Sequence, residues 1–391
     1  MGDFIWRVAC DFWRIKYNHM KYRLLSIVLI MSCLISLENI AQTNDEWAIF
    51  RGDPALSGYS KARLPDSPRL LWNFQTDDAI TAAPVIADGK IFIGNTEGKF
   101  FAIDMEGDEL WTFEADNTIE APAMYHDGVV YFGDLSGFLY AFQAETGQLV
   151  WKYETENQIS GSPNQFEANK KTYIVVGSYD FYLHCVDAES GQPMWKYESD
   201  NFVNGAAAVS QDFALFGGCD GYLHVVELGT GKLHKKIEVA TYVAGSVAVY
   251  EDMVYTGDYD GLFSCIDLEK GEILWRWSNP QSNLPILGSP SIYKDKVVIG
   301  GEDKYLRCFE RTDGTLLWSF NAGGRIDASP VIIREKVLTA TMDGMLYMIS
   351  LDNGMEEWSY EVGSGIAHNP AVVSGYIVLG ARDGNIYCFG K

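Results

Sequence analysis

Glu120, Asn204 and Asp327 occupy one recurring position in the chain, each just ahead of a predicted strand, where Thr81, Ser160, Ala244, Leu287 and Ala367 are the counterparts. Carboxylate and amide oxygens are the donors a Ca²⁺ site uses. Arg325 and His368 fall in the same loops. If those loops converge on one axis, Glu120, Asn204, Arg325, Asp327 and His368 form a funnel that could hold a cofactor. The plainer alternative is that polar residues at loop ends simply face water. His184, His224 and His234 sit in or beside strands and are expected to be packed or solvated rather than ligands. No nucleophile–base motif, phosphate loop or dinucleotide fingerprint occurs, so no catalytic residue and no metal ligand set are assigned.

The elements that must position these residues follow from an internal repeat. Segments 77–116, 117–156, 157–200, 201–240, 241–280, 281–323 and 324–363 are variants of one unit of 40 to 44 residues, and 364–391 begins another and stops short. Each unit reads as four short strands. In the second, the strands are 121–125, 129–133, 138–143 and 149–154, separated by Asp127-Gly128, Ser136-Gly137 and Thr146-Gly147. Such pairs supply the positive φ angles of tight hairpins. Three hairpin turns per ~40 residues give a four-stranded antiparallel blade, and radial repetition of blades gives a β-propeller.

The last unit lacks its fourth strand, while Leu70-Leu71-Trp72-Asn73-Phe74 matches a fourth strand and has no blade of its own. The fold class is therefore all-β: an eight-bladed propeller of four-stranded antiparallel blades. Its ring is closed by an N-terminal strand that completes the C-terminal blade and removes two exposed edges. Trp72, Trp111, Trp151, Trp195, Trp275, Trp318 and Trp358 mark the period, with Lys235 in the fourth slot. Their repetition predicts a packing role, each ring covering the turn glycine and backbone of the next blade.

Cys185, Cys265, Cys308 and Cys388 share one repeat position with Ala102 and Ala141, which reads as a tight spot for a small apolar residue. Equivalent points of different blades are too far apart for a disulfide. No C-x-x-C spacing suggests metal binding. Cys219, beside the Asp220-Gly221 turn, stands outside this pattern.

Composition limits the function. The chain has 53 acidic and 30 basic residues, a formal charge of -23 and a 47% apolar fraction. That field disfavours nucleic-acid backbones and anionic lipid headgroups, so no nucleic-acid partner is expected. Residues 24–37 form an apolar run of 14 behind Lys21 and Arg23. It is shorter than the ~20 residues that span a bilayer and reads as a signal peptide cut after Ala41. Residues 1–42 are thus assigned as leader and signal peptide, with Met20 as an alternative start, 43–69 as a lead segment and 70–391 as the propeller. A rival reading takes Ile30-Met31-Ser32-Cys33 as a loose lipobox, which would tether the protein through a lipidated Cys33. Either reading exports the protein, to the periplasm, the periplasmic face of an outer membrane or the exterior.

The run Ala141–Trp151 (AFQAETGQLVW) resembles the A-x-D-x-x-T-G-x-x-x-W docking motif of the quinoprotein-like, pyrroloquinoline-quinone-repeat propellers, as do Cys185–Trp195 and Cys265–Trp275. Trp47-Ala-Ile-Phe-Arg-Gly-Asp-Pro with Gly58 is similar to the W-x-x-F-R-G start of exported members, so Arg51-Gly52-Asp53 belongs to that motif rather than to an adhesion signal. The resemblance covers about 320 residues. It implies one of two roles: a quinone- and calcium-dependent alcohol or sugar dehydrogenase, or a BamB-like scaffold of outer-membrane protein assembly. The dehydrogenases carry an adjacent-cysteine disulfide and long insertions, and this chain has neither. The expectation is a monomeric, non-enzymatic scaffold without a cofactor, binding an envelope or outer-membrane protein; the alternative is a dehydrogenase, or a small-ligand binder, using pyrroloquinoline quinone and Ca²⁺ in the funnel. Segments 167–171 and 283–287 hold the only extra loop residues and are modest contact candidates.

Overall fold

The computed structural model describes residues 46–391 apart from Ala240 and Ala244; the signal peptide, its cleavage site and Cys33 lie outside the described residues. Every element within them is a strand, and the strands form eight separate sheets. Blades 1 to 7 span 85–114, 124–154, 164–198, 208–238, 248–278, 291–321 and 331–361, each running from an inner to an outer strand. Blade 8 takes three strands from 371–390 and its outer strand from Arg69–Gln75. There Leu70 pairs with Phe389 and Trp72 with Cys388, antiparallel, so the ring closes as expected.

The innermost strands are shorter than the sequence suggests. In blade 2 the strand is Met124–His126, not 121–125. Pro122 has no N–H to give a ladder, and the residues before Met124 instead carry the chain past the axis. The second and third strands are almost wholly buried, because both their faces meet neighbouring blades.

Two repeated contacts join the blades. Near the axis, an Ile or Val packs against the glycine that ends the second strand of the preceding blade: a Cβ on Gly94, Gly133, Gly177, Gly217, Gly257, Gly300 or Gly380 would strike Ile119, Ile159, Val203, Val243, Ile286, Ile326 or Ile80. At the periphery, an outer-strand tryptophan lies on the third turn of the next blade. Trp72, Trp111, Trp151, Trp195, Trp275 and Trp318 donate through Nε1 to the carbonyls of Met105, Ala144, Ala188, Leu228, Arg311 and Leu351 at 2.8–3.0 Å. The turn glycine beneath each ring has φ between 66° and 95° and no room for a side chain. A β-bulge just before the tryptophan slot recurs in all eight outer strands and re-aims that side chain toward the neighbour. Trp358 differs. Its neighbour is the split blade 8, which has no third turn, and it packs edge-on against Phe389 at 6.2 Å.

Across the sheet each tryptophan faces a small or slender residue: Ala102, Ala141, Cys185, Cys265, Cys308, Cys388 or Met348. The four cysteines in this slot are buried and free, and Cys219 is free and half-buried. Burial pushes the Cys265 thiol up to about 11 and those of Cys308 and Cys388 up to about 12, so they behave as apolar filler.

The lead segment threads the ring. Trp47 exchanges backbone hydrogen bonds with Ile86 of blade 1, and Ala48 O accepts from Tyr125 of blade 2. Pro54 O accepts from Asn164 Nδ2 of blade 3 and from Val209 of blade 4. Ala55, Ser57 and Gly58 then serve Val249, Ile292 and Ile332 in blades 5, 6 and 7, and Arg63 O accepts from Gly375 in blade 8. The strap therefore visits every innermost strand or its turn in order. Arg51 is buried at its centre and donates to Pro330 O at 2.6 Å, Pro290 O at 2.9 Å and Ser291 Oγ at 2.7 Å. Gly58 is required because a Cβ there would occupy the place of the Arg51 guanidinium. Among the described residues no helix is long and apolar enough to cross a membrane.

Candidate functional site

The isoleucine–glycine contact fixes the residue that follows it. This is the ring position of Thr81, Glu120, Ser160, Asn204, Leu287, Asp327 and Ala367; Ala244 lies outside the described residues. The next position holds Gly or Ala in units one to seven and His368 in the eighth. Space decides that preference: a Cβ on Gly161 would come within 2.6 Å of Gly205 O, and one on Gly245 within 2.6 Å of Leu287 O. One position further, serine hydroxyls link successive blades. Ser246 Oγ accepts from Ala206 N at 2.9 Å, Ser289 Oγ from Ser246 N at 3.1 Å and Ser329 Oγ from Ser289 N at 2.8 Å.

Within this ring lies a cavity of about 120 Å³, lined among others by Ser160, Asn204, Leu287, Asp327 and His368, with Phe50 of the strap also in its wall. Three of the five funnel residues expected from sequence thus meet. Arg325 stands beside them, bonded to Asp327 Oδ2 at 2.8 Å and to Glu302 at 3.3 Å. Glu120 does not line the cavity; Pro122 represents blade 2 there. The repeat position does not reveal Glu302, Arg382 and Phe50, whose places depend on strap and turn geometry.

Burial raises the Asp327 carboxyl above its ordinary value, against the pull of Arg325 and Arg382. Burial, then Arg382, pushes His368 down to about 4, so its imidazole is neutral at pH 7. Asn204 Oδ1 and Asp327 Oδ1 are buried without a hydrogen-bond partner.

Ca²⁺ and pyrroloquinoline quinone do not fit this arrangement. Ca²⁺ takes six to eight oxygens. Here one carboxylate lines the cavity, Arg325 already holds one of its oxygens, and Glu120 is not part of the lining. Pockets for ligands of drug size enclose about 300–1,000 Å³, well above 120 Å³.

The face that carries the axial residues has two unlike halves. On blades 3 to 6 it is aromatic and apolar. Tyr179 stacks on Phe202 at 4.7 Å, Phe181 lies 5.2 Å from Phe202, and Tyr242 meets Tyr259 edge-on at 6.1 Å. Phe181, Phe202, Tyr242, Tyr259 and Leu284 are all exposed. The half formed by blades 6 to 8 carries Glu302, Arg325 and Arg382. Segment 283–287 contributes Leu284 to the first half and Leu287 to the cavity. Segment 167–171 lies elsewhere. It lengthens the hairpin Asn164–Ala168/Lys171–Gly177 and walls a cleft of about 380 Å³ at the seam of blades 2 and 3, where His126 bonds Thr172 and Lys171 pairs with Asp187.

His184 and His224 are buried structural groups. Each bonds a turn aspartate through Nε2 at 2.9 Å (Asp180 or Asp220) and a tyrosine through Nδ1 (Tyr153 at 3.0 Å, Tyr197 at 2.9 Å).

The family described as "Beta-alanine-activating enzyme, beta-propeller" matches residues 87–390. The chain belongs to this β-propeller family. A comparison with curated proteins gives no match. Among solved structures, this family member is similar to BamB from Moraxella catarrhalis, at 19% identity and TM-score 0.69 over 83% of this chain and 98% of that one. It is similar to the quinohemoprotein alcohol dehydrogenase of Comamonas testosteroni, at 14% identity and TM-score 0.75 over 90% and 81%. It is also similar to the computationally designed protein Ika8, at 19% identity and TM-score 0.73 over 83% and 100%. BamB, an alcohol dehydrogenase and a designed protein on one framework show the fold alone.

Proposed function

We propose that this propeller is a non-enzymatic, exported scaffold that binds an envelope protein, in a BamB-like role at the periplasmic face of an outer membrane. The observation that carries the reading is two exposed aromatic clusters, Phe181 with Phe202 and Tyr242 with Tyr259, on neighbouring loops of the face that carries the axial residues. Contiguous exposed apolar surface on a folded domain marks an interaction site, and aromatic residues dominate such contacts. The small cavity supports the same reading over the quinone enzyme, since it lacks the room and the donors for that cofactor.

The test compares the full chain with a variant carrying Phe181→Ser, Phe202→Ser, Tyr242→Ser and Tyr259→Ser, each purified with its associated proteins from the organism's envelope fraction. The scaffold reading expects one envelope protein to accompany the parent stoichiometrically and to be lost from the variant at an unchanged melting temperature. Equal recovery with both, or no envelope protein with either, contradicts it.

A further inference from the structure

We infer that the axial cavity is a receptor for a primary ammonium group, the tip of a lysine side chain on the bound protein; the identity of that donor rests on the scaffold reading. Two acceptors in its lining residues lack a donor: Asn204 Oδ1 and Asp327 Oδ1 are both buried and unpartnered. Buried polar atoms are nearly always paired, and an unpaired carboxylate oxygen is among the costliest exceptions. No donor of the protein reaches these two oxygens. Arg325 is divided between Asp327 Oδ2 and Glu302, and the Ser160 hydroxyl donates to Asn204 O at 3.1 Å. What is missing is a hydrogen-bond donor, delivered from outside.

Charge and size narrow the class. The group formed by Asp327, Glu302 and Arg325 carries one net negative charge, the chain as a whole carries -23, and Arg382 opposes from an exposed position. An anionic ligand would bring more acceptors to two oxygens that lack donors. A divalent metal would have to displace Arg325 from the one carboxylate present. An ammonium offers three donors on a single tetrahedral centre, and a volume of 120 Å³ admits it with part of its stem. Leu287 and Phe50 supply apolar wall for that stem.

The test titrates the full chain with n-butylammonium, with n-butanol and Ca²⁺ as separate arms, and follows binding by NMR through the His368 ring signals. Saturable binding of n-butylammonium but not of n-butanol is expected. Asp327→Asn and Asn204→Ser should each weaken it about tenfold or more, the scale of one charge-assisted hydrogen bond. Asp327→Asn loses the ion pair to a half-exposed Arg325 and Asn204→Ser loses a loop amide, so each should lower the melting temperature only slightly and weakened binding then reports the site. Absent binding, binding that both variants retain, or displacement of n-butylammonium by stoichiometric Ca²⁺ would overturn the inference. Recovery of the envelope protein is a separate readout: if it persists while n-butylammonium fails, the scaffold stands and the ammonium receptor falls.

Discussion

Lys235 Nζ donates to the main-chain carbonyl of Leu268 at 2.7 Å, the bond that Trp195 Nε1 makes to Leu228 at 2.8 Å one blade earlier. The lysine stem also lies over Gly271, with Cδ 3.2 Å from where a Cβ would be. Lysine thus reproduces both halves of the tryptophan contact, an apolar cover and a donor, at the one seam of blades 1 to 7 without an indole.

Substitutions at these two neighbouring seams separate the two halves of the contact. Trp195→Ala should lower unfolding free energy by about 3–5 kcal/mol. Trp195→Phe should cost less, since it keeps most of the ring and loses a bond worth about 1 kcal/mol. Lys235→Met keeps the cover and loses the donor, so it should resemble the phenylalanine variant. Urea unfolding midpoints check the order; a lysine variant as damaging as Trp195→Ala would contradict it.

Ring closure is equally open to measurement. Removing the outer strand Arg69–Gln75 uncovers the edge Asn385–Gly390, which includes the buried Cys388 and Phe389. A chain carrying Asn73→Pro and Phe74→Pro, which leaves the strap in place, should melt well below the parent and associate through that edge. A melting temperature equal to the parent's would refute the closure.

Acid stability should depend on the two His–Asp–Tyr relays. His224 and Lys236, together with backbone N–H groups, outweigh burial and hold the Asp220 carboxyl at about 2, and Asp180 is likewise depressed by His184. The unfolded value is near 3.9, so this stability is present above about pH 4 and is lost as pH falls toward 2. For Asp220 it amounts to about 2 kcal/mol. Asp134 and Asp258 are raised by burial and act in the opposite sense, gaining stability as pH falls. Asp220→Asn should therefore be less stable than the parent at pH 7 and should converge with it by pH 2. Parallel stability–pH curves would contradict this.

The strap can be tested at its centre. Burial lowers Arg51 to about 9, which leaves it charged at neutral pH among carbonyl and hydroxyl acceptors. Arg51→Ala strands those buried acceptors and should cost on the order of 3 kcal/mol or more. Gly58→Ala should phenocopy it, since φ there is 68° and the added methyl meets the guanidinium. Limited proteolysis should cut the strap faster in both; unchanged cleavage would show that Arg51 does not pin it.

The blades were legible because their signals are local: a turn pair every ten or so residues and a tryptophan on a ~40-residue period. The missing strand at the C-terminus and the surplus one at Arg69–Gln75 made closure legible as well. The strap's route was not. Arg51 finds Pro330 across 279 residues, and nothing in its neighbourhood encodes that partner. For the same reason the sequence grouped Glu120 with Asn204 and Asp327, although only the latter two line the cavity. The role of His368 was open to a closer reading, since it is the one large side chain at a position otherwise held by Gly or Ala.

The most direct measurement places a photo-crosslinking amino acid at Phe202, in one of the aromatic clusters, and separately at Leu317, on the outer rim, both exposed. In living cells the account predicts a discrete adduct with one envelope protein from position 202 and none from 317. No adduct at 202, or the same adducts from both positions, would contradict it.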